Sequence, residues 1–116
     1  MKLGHKQELF SRLWMLKLVP KAYELGFQIR GGDLFRDPRA HGEYGEKEGY
    51  SSTLSNHKLK LAVDLNITKD GVFQTTTEDH AELGEYWISL HELCRWGGSG
   101  GNNDGNHYSL EHNGRW

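Results

Sequence analysis

The sequence predicts a small single domain of the α+β class, an antiparallel sheet with flanking helices. Three observations predict it. Apolar residues recur at helical spacing over residues 6–25 and again over 78–94. Apolar and other residues alternate over 58–67, just before the turn signal Lys69-Asp70-Gly71. The 116 residues are enough for one modest core and no more. Helices and strands follow one another without strict β–α alternation, which favours α+β over a parallel α/β sheet.

In the first helix Leu9, Leu13 and Leu16, with Phe10 and Trp14, recur at spacings of three and four. Gly26 is a natural stop, because glycine accepts the left-handed conformation that ends helices. Pro20 lies inside the pattern and has no backbone N–H, so a kink or a two-piece helix is expected there. Phe27 to Arg30 is a short strand candidate. Residues 31–56 are irregular and rich in Gly, Asp, Arg and Glu, and stretches of this kind tend to carry function or to move. From Lys58 to Ile67, Leu59, Leu61, Val63 and Leu65 alternate with Lys58, Lys60, Ala62 and Asp64, and Val72 to Thr75 would return as a hairpin partner. Thr77 is expected to cap the second helix, with Glu78 and Asp79 in its first turn. Leu83, Trp87, Leu90 and Cys94 would share its buried face. Trp96 to Gly105, with five glycines and two asparagines, reads as a loop, and His107 to Glu111 as a last short strand. The sequence contains no internal repeat.

Composition narrows the function. Formal charge is -2 and no basic run is present, so the electrostatic footprint of a nucleic-acid binder is missing. A hydrophobic content of 35% with four Trp argues against a disordered chain. The single cysteine, Cys94, cannot form an internal disulfide and reads as a small buried hydrophobe. No stretch approaches the ~18 apolar residues of a membrane span. Met1 to Glu8 lacks the apolar core of a secretory signal, so a cytoplasmic location and a monomer are expected.

Histidine is the outlier, with seven residues: His5, His41, His57, His80, His91, His107 and His112. His57 and Asp64 are separated by six residues. Their parity disagrees along a strand, so both can reach one ion only if His57 sits in a loop that turns back over the strand. Taken alone, such a pair is more often a structural histidine and an exposed aspartate than two metal ligands. Asp64, however, interrupts Leu61-Ala62-Val63-Asp64-Leu65, a run that otherwise looks buried, and an ionised carboxylate there needs a partner or a cation. Asp104-Gly105-Asn106-His107 adds a carboxylate three residues before a histidine, which reads either as a polar turn before an edge strand or as a proton acceptor beside a metal ligand. For His80, His91, His112 and His41 surface or core roles are expected; His41 is the one whose loop can line a groove.

At these residues the sequence resembles the zinc D-alanyl-D-alanine carboxypeptidases and the phage L-alanyl-D-glutamate endolysins. Ser55-Asn56-His57 with Asp64 is similar to their S-x-H-x6-D, and Asp104-Gly105-Asn106-His107-Tyr108 to their D/E-x-x-H followed by an aromatic residue. Phe35-Arg36 and Trp96-Gly97-Gly98 match two further features in the same order. The resemblance spans about residues 8–113. Lys58-Leu59-Lys60-Leu61 departs from it, standing where the family often carries a glycine after the first histidine.

The resemblance implies a Hedgehog/DD-peptidase type of fold and a zinc ion (Zn2+) held by His57, Asp64 and His107. It implies Asp104 as general base and acid, Arg36 near the site for an oxyanion or a substrate carboxylate, with Arg30 as rival, and Ser55 as a neighbour of the metal. By position alone, Glu111 shares strand parity with His107 and is the rival base, and Tyr108, beside a ligand, is expected to pack against substrate. The implied substrate is the stem peptide of bacterial peptidoglycan. An L-Ala–D-Glu endopeptidase that waits in the host cytoplasm until it is released to the wall is favoured. A D-Ala–D-Ala carboxypeptidase and a non-catalytic wall-binding or virion component are the alternatives.

Overall fold

The protein is described from a computed structural model, over residues 1–31 and 56–116. Phe35, Arg36, His41 and Ser55 lie outside the described residues. The architecture is α+β, as predicted.

The first helical segment is built in two pieces. Helix α1 (Leu3–Leu13) runs into a five-residue π turn, Trp14–Leu18, and then into α2 (Val19–Glu24). In the π turn the Val19 N–H reaches back to the carbonyl of Trp14. Pro20 thereby falls in the opening turn of α2, where a missing N–H leaves little undone. The extra residue also rotates the apolar stripe. Leu18 and Ala22 enter the core, whereas Leu16, expected on the buried face, is 66% exposed. Gly26, at φ +92°, ends the helix: its N–H bonds the carbonyl of Tyr23, and the Phe27 N–H bonds that of Ala22.

The described strands form two antiparallel three-stranded sheets. One is β1 (Gln28–Ile29), β3 (Ile67–Lys69) and β4 (Val72–Phe73), in the order β1-β3-β4. The other is β2 (Ala62–Asp64), β6 (His107–Leu110) and β5 (Cys94–Trp96), in the order β2-β6-β5. The strand expected over 58–67 is therefore not one strand. Asn56–Leu59 is a 3-10 turn, Lys60 takes φ +59°, and the chain crosses from one sheet to the other between Asp64 and Ile67. Leu61, Ala62, Val63 and Leu65 are all buried, so the alternation in the sequence does not separate an inner from an outer face. The β3–β4 hairpin closes through Asp70 and Gly71, both at positive φ, as a two-residue loop requires.

Helix α3 (Ala81–Leu90) follows a 3-10 turn, Glu78–His80. Thr77 stands at the cap position as expected but makes no side-chain capping bond, which falls to Thr76 instead. The Asp79 N–H donates to Thr76 Oγ1 at 3.2 Å, and the Thr76 N–H donates to Asp79 Oδ2 at 3.1 Å. The helix also ends earlier than expected. His91 is already extended, and Cys94 reaches the core from strand β5.

The core lies between the helices and the β2-β6-β5 sheet. Phe10, Leu18, Leu83 and Trp87 meet Leu61, Val63, Tyr108 and Leu110 there. The rings of Phe10 and Trp87 pack edge to face at 5.9 Å, and Trp87 Nε1 donates to the carbonyl of Ser109 at 3.1 Å. This packing fixes the sheet whose far end carries the site. No helix among the described residues is long and apolar enough to cross a membrane.

Candidate metal centre

Three elements bring the site together. Asp64 is the last residue of β2 and His107 the first of β6, and the two are paired in the ladder. Residues directly opposite on one face of a sheet have Cβ atoms about 5 Å apart, within reach of a carboxylate and an imidazole. His57 comes from the 3-10 turn, closed by the Leu61 N–H on the carbonyl of Asn56 at 2.9 Å and the Lys60 N–H on that of His57 at 3.2 Å. The turn lays His57 back over β2, which resolves the parity conflict between residues 57 and 64.

His57 Nε2 lies 3.2 Å from Asp64 Oδ1, and His107 Nδ1 lies 3.1 Å from the same oxygen. The imidazole rings stand at 69° to one another, centroids 5.2 Å apart. One ligand atom from each of the three side chains falls within 4.8 Å of the others. Ligands around a tetrahedral zinc at about 2.0–2.2 Å stand roughly 3.3–3.5 Å apart, so this donor set fits a metal of that size. His57 and His107 are buried and Asp64 is half-buried. Burial works to raise the Asp64 carboxyl, but hydrogen bonds to His107 and His57 outweigh it and hold the group well below the usual carboxylate range.

The glycines around the loop permit the approach. A Cβ on Gly97 would collide with the carbonyl of Asp104 and crowd Cβ of His107, and one on Gly105 would press on the backbone of Thr77. Trp96 locks the loop from inside, its Nε1 donating to the carbonyl of Gly105 at 2.6 Å. Beside the ligands opens a cleft of about 410 Å³ lined by Gly97, Asn102, Asn103, Asp104, His107 and Trp116.

The remaining candidates separate clearly. Asp104 is 64% exposed at the cleft, its Oδ2 4.0 Å from His107 Nδ1. Glu111, its rival, lies past the end of β6 and faces Arg95 at 3.5 Å. Arg30, the rival of Arg36, lays its guanidinium over the ring of Phe73 in the other sheet, at 5.9 Å. Tyr108 has no accessible surface. Its hydroxyl meets His80 Nδ1 at 2.9 Å and burial raises its pKa, so it is a core residue and offers nothing to a substrate. Cys94 is likewise buried, its thiol pushed up to about 12 by burial, which removes it as a nucleophile.

The fold adds two neighbours of the ligands to which the sequence assigns no role, Asn56 and Trp116. The main-chain oxygen of Trp116 accepts from His107 Nε2 at 3.2 Å. The dipeptide Asn113-Gly114, a common two-residue turn, was the signal that the chain doubles back there. Comparison of the chain with protein-family models, with curated proteins and with solved structures returns no match.

Proposed function

We propose that the protein is a zinc metallopeptidase that hydrolyses peptide bonds in bacterial peptidoglycan. The observation that carries this reading is the convergence of His57, Asp64 and His107 on one point, beside a cleft that also holds a carboxylate. The motif order in the sequence supports the choice of peptidase over other metallohydrolases.

When bound, zinc supplies Lewis-acid polarisation of a water and of a carbonyl oxygen. The residues of the chain do the rest. His57 and His107 would hold the ion through a ring nitrogen each and Asp64 through a carboxylate oxygen. Asp104, at the cleft and close to His107, accepts a proton from the water that adds to the scissile carbonyl. As the C–N bond breaks, Asp104 returns that proton to the leaving amine. Arg36 is assigned the developing charge on the carbonyl oxygen by the resemblance alone, and Ser55 a place beside the ligands on the same ground.

An endopeptidase acting between L-Ala and D-Glu is favoured over a D-Ala–D-Ala carboxypeptidase. A carboxypeptidase must hold a terminal carboxylate. The described residues that line the cleft, among them Asn102, Asn103, Asp104 and His107, are polar, and Arg36, the residue that the resemblance offers for a carboxylate, lies outside them. On this reading the protein acts as a phage lysin, held in the host cytoplasm until it is released to the wall.

The test is metal analysis of the purified protein together with release of new amino groups from purified peptidoglycan. Stoichiometric zinc and chelator-sensitive amine release are expected, and mass spectrometry of the fragments identifies the bond. Absence of amine release from the zinc-loaded protein would refute the peptidase reading.

A further inference from the structure

Beyond β6 the chain turns back on itself. His112 and Arg115 exchange two main-chain hydrogen bonds at 2.9 Å around Asn113 and Gly114, both at positive φ. The returning arm ends with the main-chain oxygen of Trp116 against the outer nitrogen of His107. Two buried side chains fasten this hairpin to the body: Lys6 holds its base, its Nζ reaching the carbonyl of Glu111 at 3.3 Å and His112 Nδ1 at 3.2 Å, and Asn56 holds its returning arm. The amide nitrogen of Asn56 donates to the carbonyl of Leu110, at the end of β6, at 2.7 Å and to the carbonyl of Arg115, on the returning arm, at 2.9 Å. Both donors of the amide are thereby used. Asn56 is also the residue before His57, and its own carbonyl closes the turn that carries His57.

Resting on the metal reading of the site, we propose that Asn56 is a positioning residue for the metal centre. It acts through the 112–116 hairpin, which presents the main-chain oxygen of Trp116 to His107. That oxygen can only accept, so it holds a ring hydrogen on Nε2 and turns Nδ1 toward Asp64, where a bound ion would take the Nδ1 lone pair in place of the hydrogen bond to Asp64 Oδ1. Outer partners of this kind fix the orientation and tautomer of a ligating imidazole, and losing one weakens metal binding about 10–100-fold. Asn56 thus links the two histidines: it closes the turn of one and secures the acceptor of the other.

The test is cobalt(II) titration followed by absorption, with ¹⁵N spectra of the zinc-loaded protein reporting the His107 tautomer. Two variants are compared with the wild type. Asn56→Ala removes the hold on the returning arm. Gly114→Val strains the hairpin turn, although its Cβ would meet nothing within 4 Å, so the fold is left otherwise intact. Both are expected to bind cobalt about 10–100-fold more weakly, with altered visible bands. Should Asn56→Ala fail to fold, Gly114→Val decides. A folded Gly114→Val or Asn56→Ala protein with wild-type affinity and spectrum, or a His107 ring protonated on Nδ1, overturns the inference and leaves the metal centre standing. A wild-type protein that binds no cobalt overturns both.

Discussion

Asp64 and His107 are cross-strand partners in the β2–β6 ladder, and their side chains meet at 3.1 Å. The register of two short strands therefore sets the distance between two candidate ligands. A slip of one residue would turn one of the two side chains to the opposite face of the sheet. Trp87, which bonds the carbonyl of Ser109, and the packing of Leu61, Val63 and Leu110 hold that register from the core side.

Replacing the shared oxygen tests the cluster directly. Asp64→Asn keeps the shape but removes the charge that draws both imidazoles and a cation. Zinc affinity is expected to fall by more than about 100-fold, beyond the loss typical of an outer partner. Competition with a chromophoric chelator measures it, and an unchanged affinity would remove Asp64 from the ligand set.

Asp104 tests the chemistry separately from the metal. It is exposed, so Asp104→Ala is expected to fold normally and to retain zinc. Turnover on purified peptidoglycan should drop about 10²–10⁴-fold, the usual contribution of a positioned proton acceptor. Full zinc content with an undiminished rate would pass the role to another carboxylate.

Gly84 tests how the site loop is anchored. A Cβ there would run into the indole of Trp96, whose Nε1 bonds Gly105 two residues before His107. Gly84→Ala is expected to destabilise the fold by about 1–3 kcal/mol, since the ring must shift in a packed interior. Urea denaturation gives the value, and a midpoint equal to that of the wild type would show that Trp96 can move freely.

His80 predicts a pH dependence of stability. Burial lowers its pKa, against the opposing effects of the hydrogen bond to the carbonyl of Gln74 and the charge of Asp79. The folded chain keeps the ring neutral, while the unfolded chain protonates it below the ordinary value of 6.5. The unfolded state then binds more protons, so this contribution is present above pH 6.5 and is lost as the pH falls below it. Urea midpoints between pH 8 and pH 5 should fall less steeply for His80→Gln than for the wild type. Equal slopes would show that His80 titrates alike in both states.

Much of this was legible in the residues themselves. The α+β class followed from periodicity, the stop at Gly26 and the turn at Asp70-Gly71 from backbone chemistry, and the metal candidates from a carboxylate set in an apolar run. The parity of residues 57 and 64 even required that His57 leave the strand. Local pattern could not show where buried segments divide. Leu61 to Leu65 is covered on both faces, so alternation carried no information about the sheet change that follows Asp64. The break of α3 before Cys94, the π turn at Trp14–Leu18 and the burial of Tyr108 against His80 were likewise decided by contacts between distant segments. The same holds for the support of His107. Asn56 and Trp116 are 60 positions apart in the sequence, and only the closing of β6 onto β2 brings Asn56 to the returning hairpin whose last residue meets the His107 imidazole. Residue chemistry determined which side chains could share an ion, and long-range packing, which no local pattern encodes, determined that they do meet.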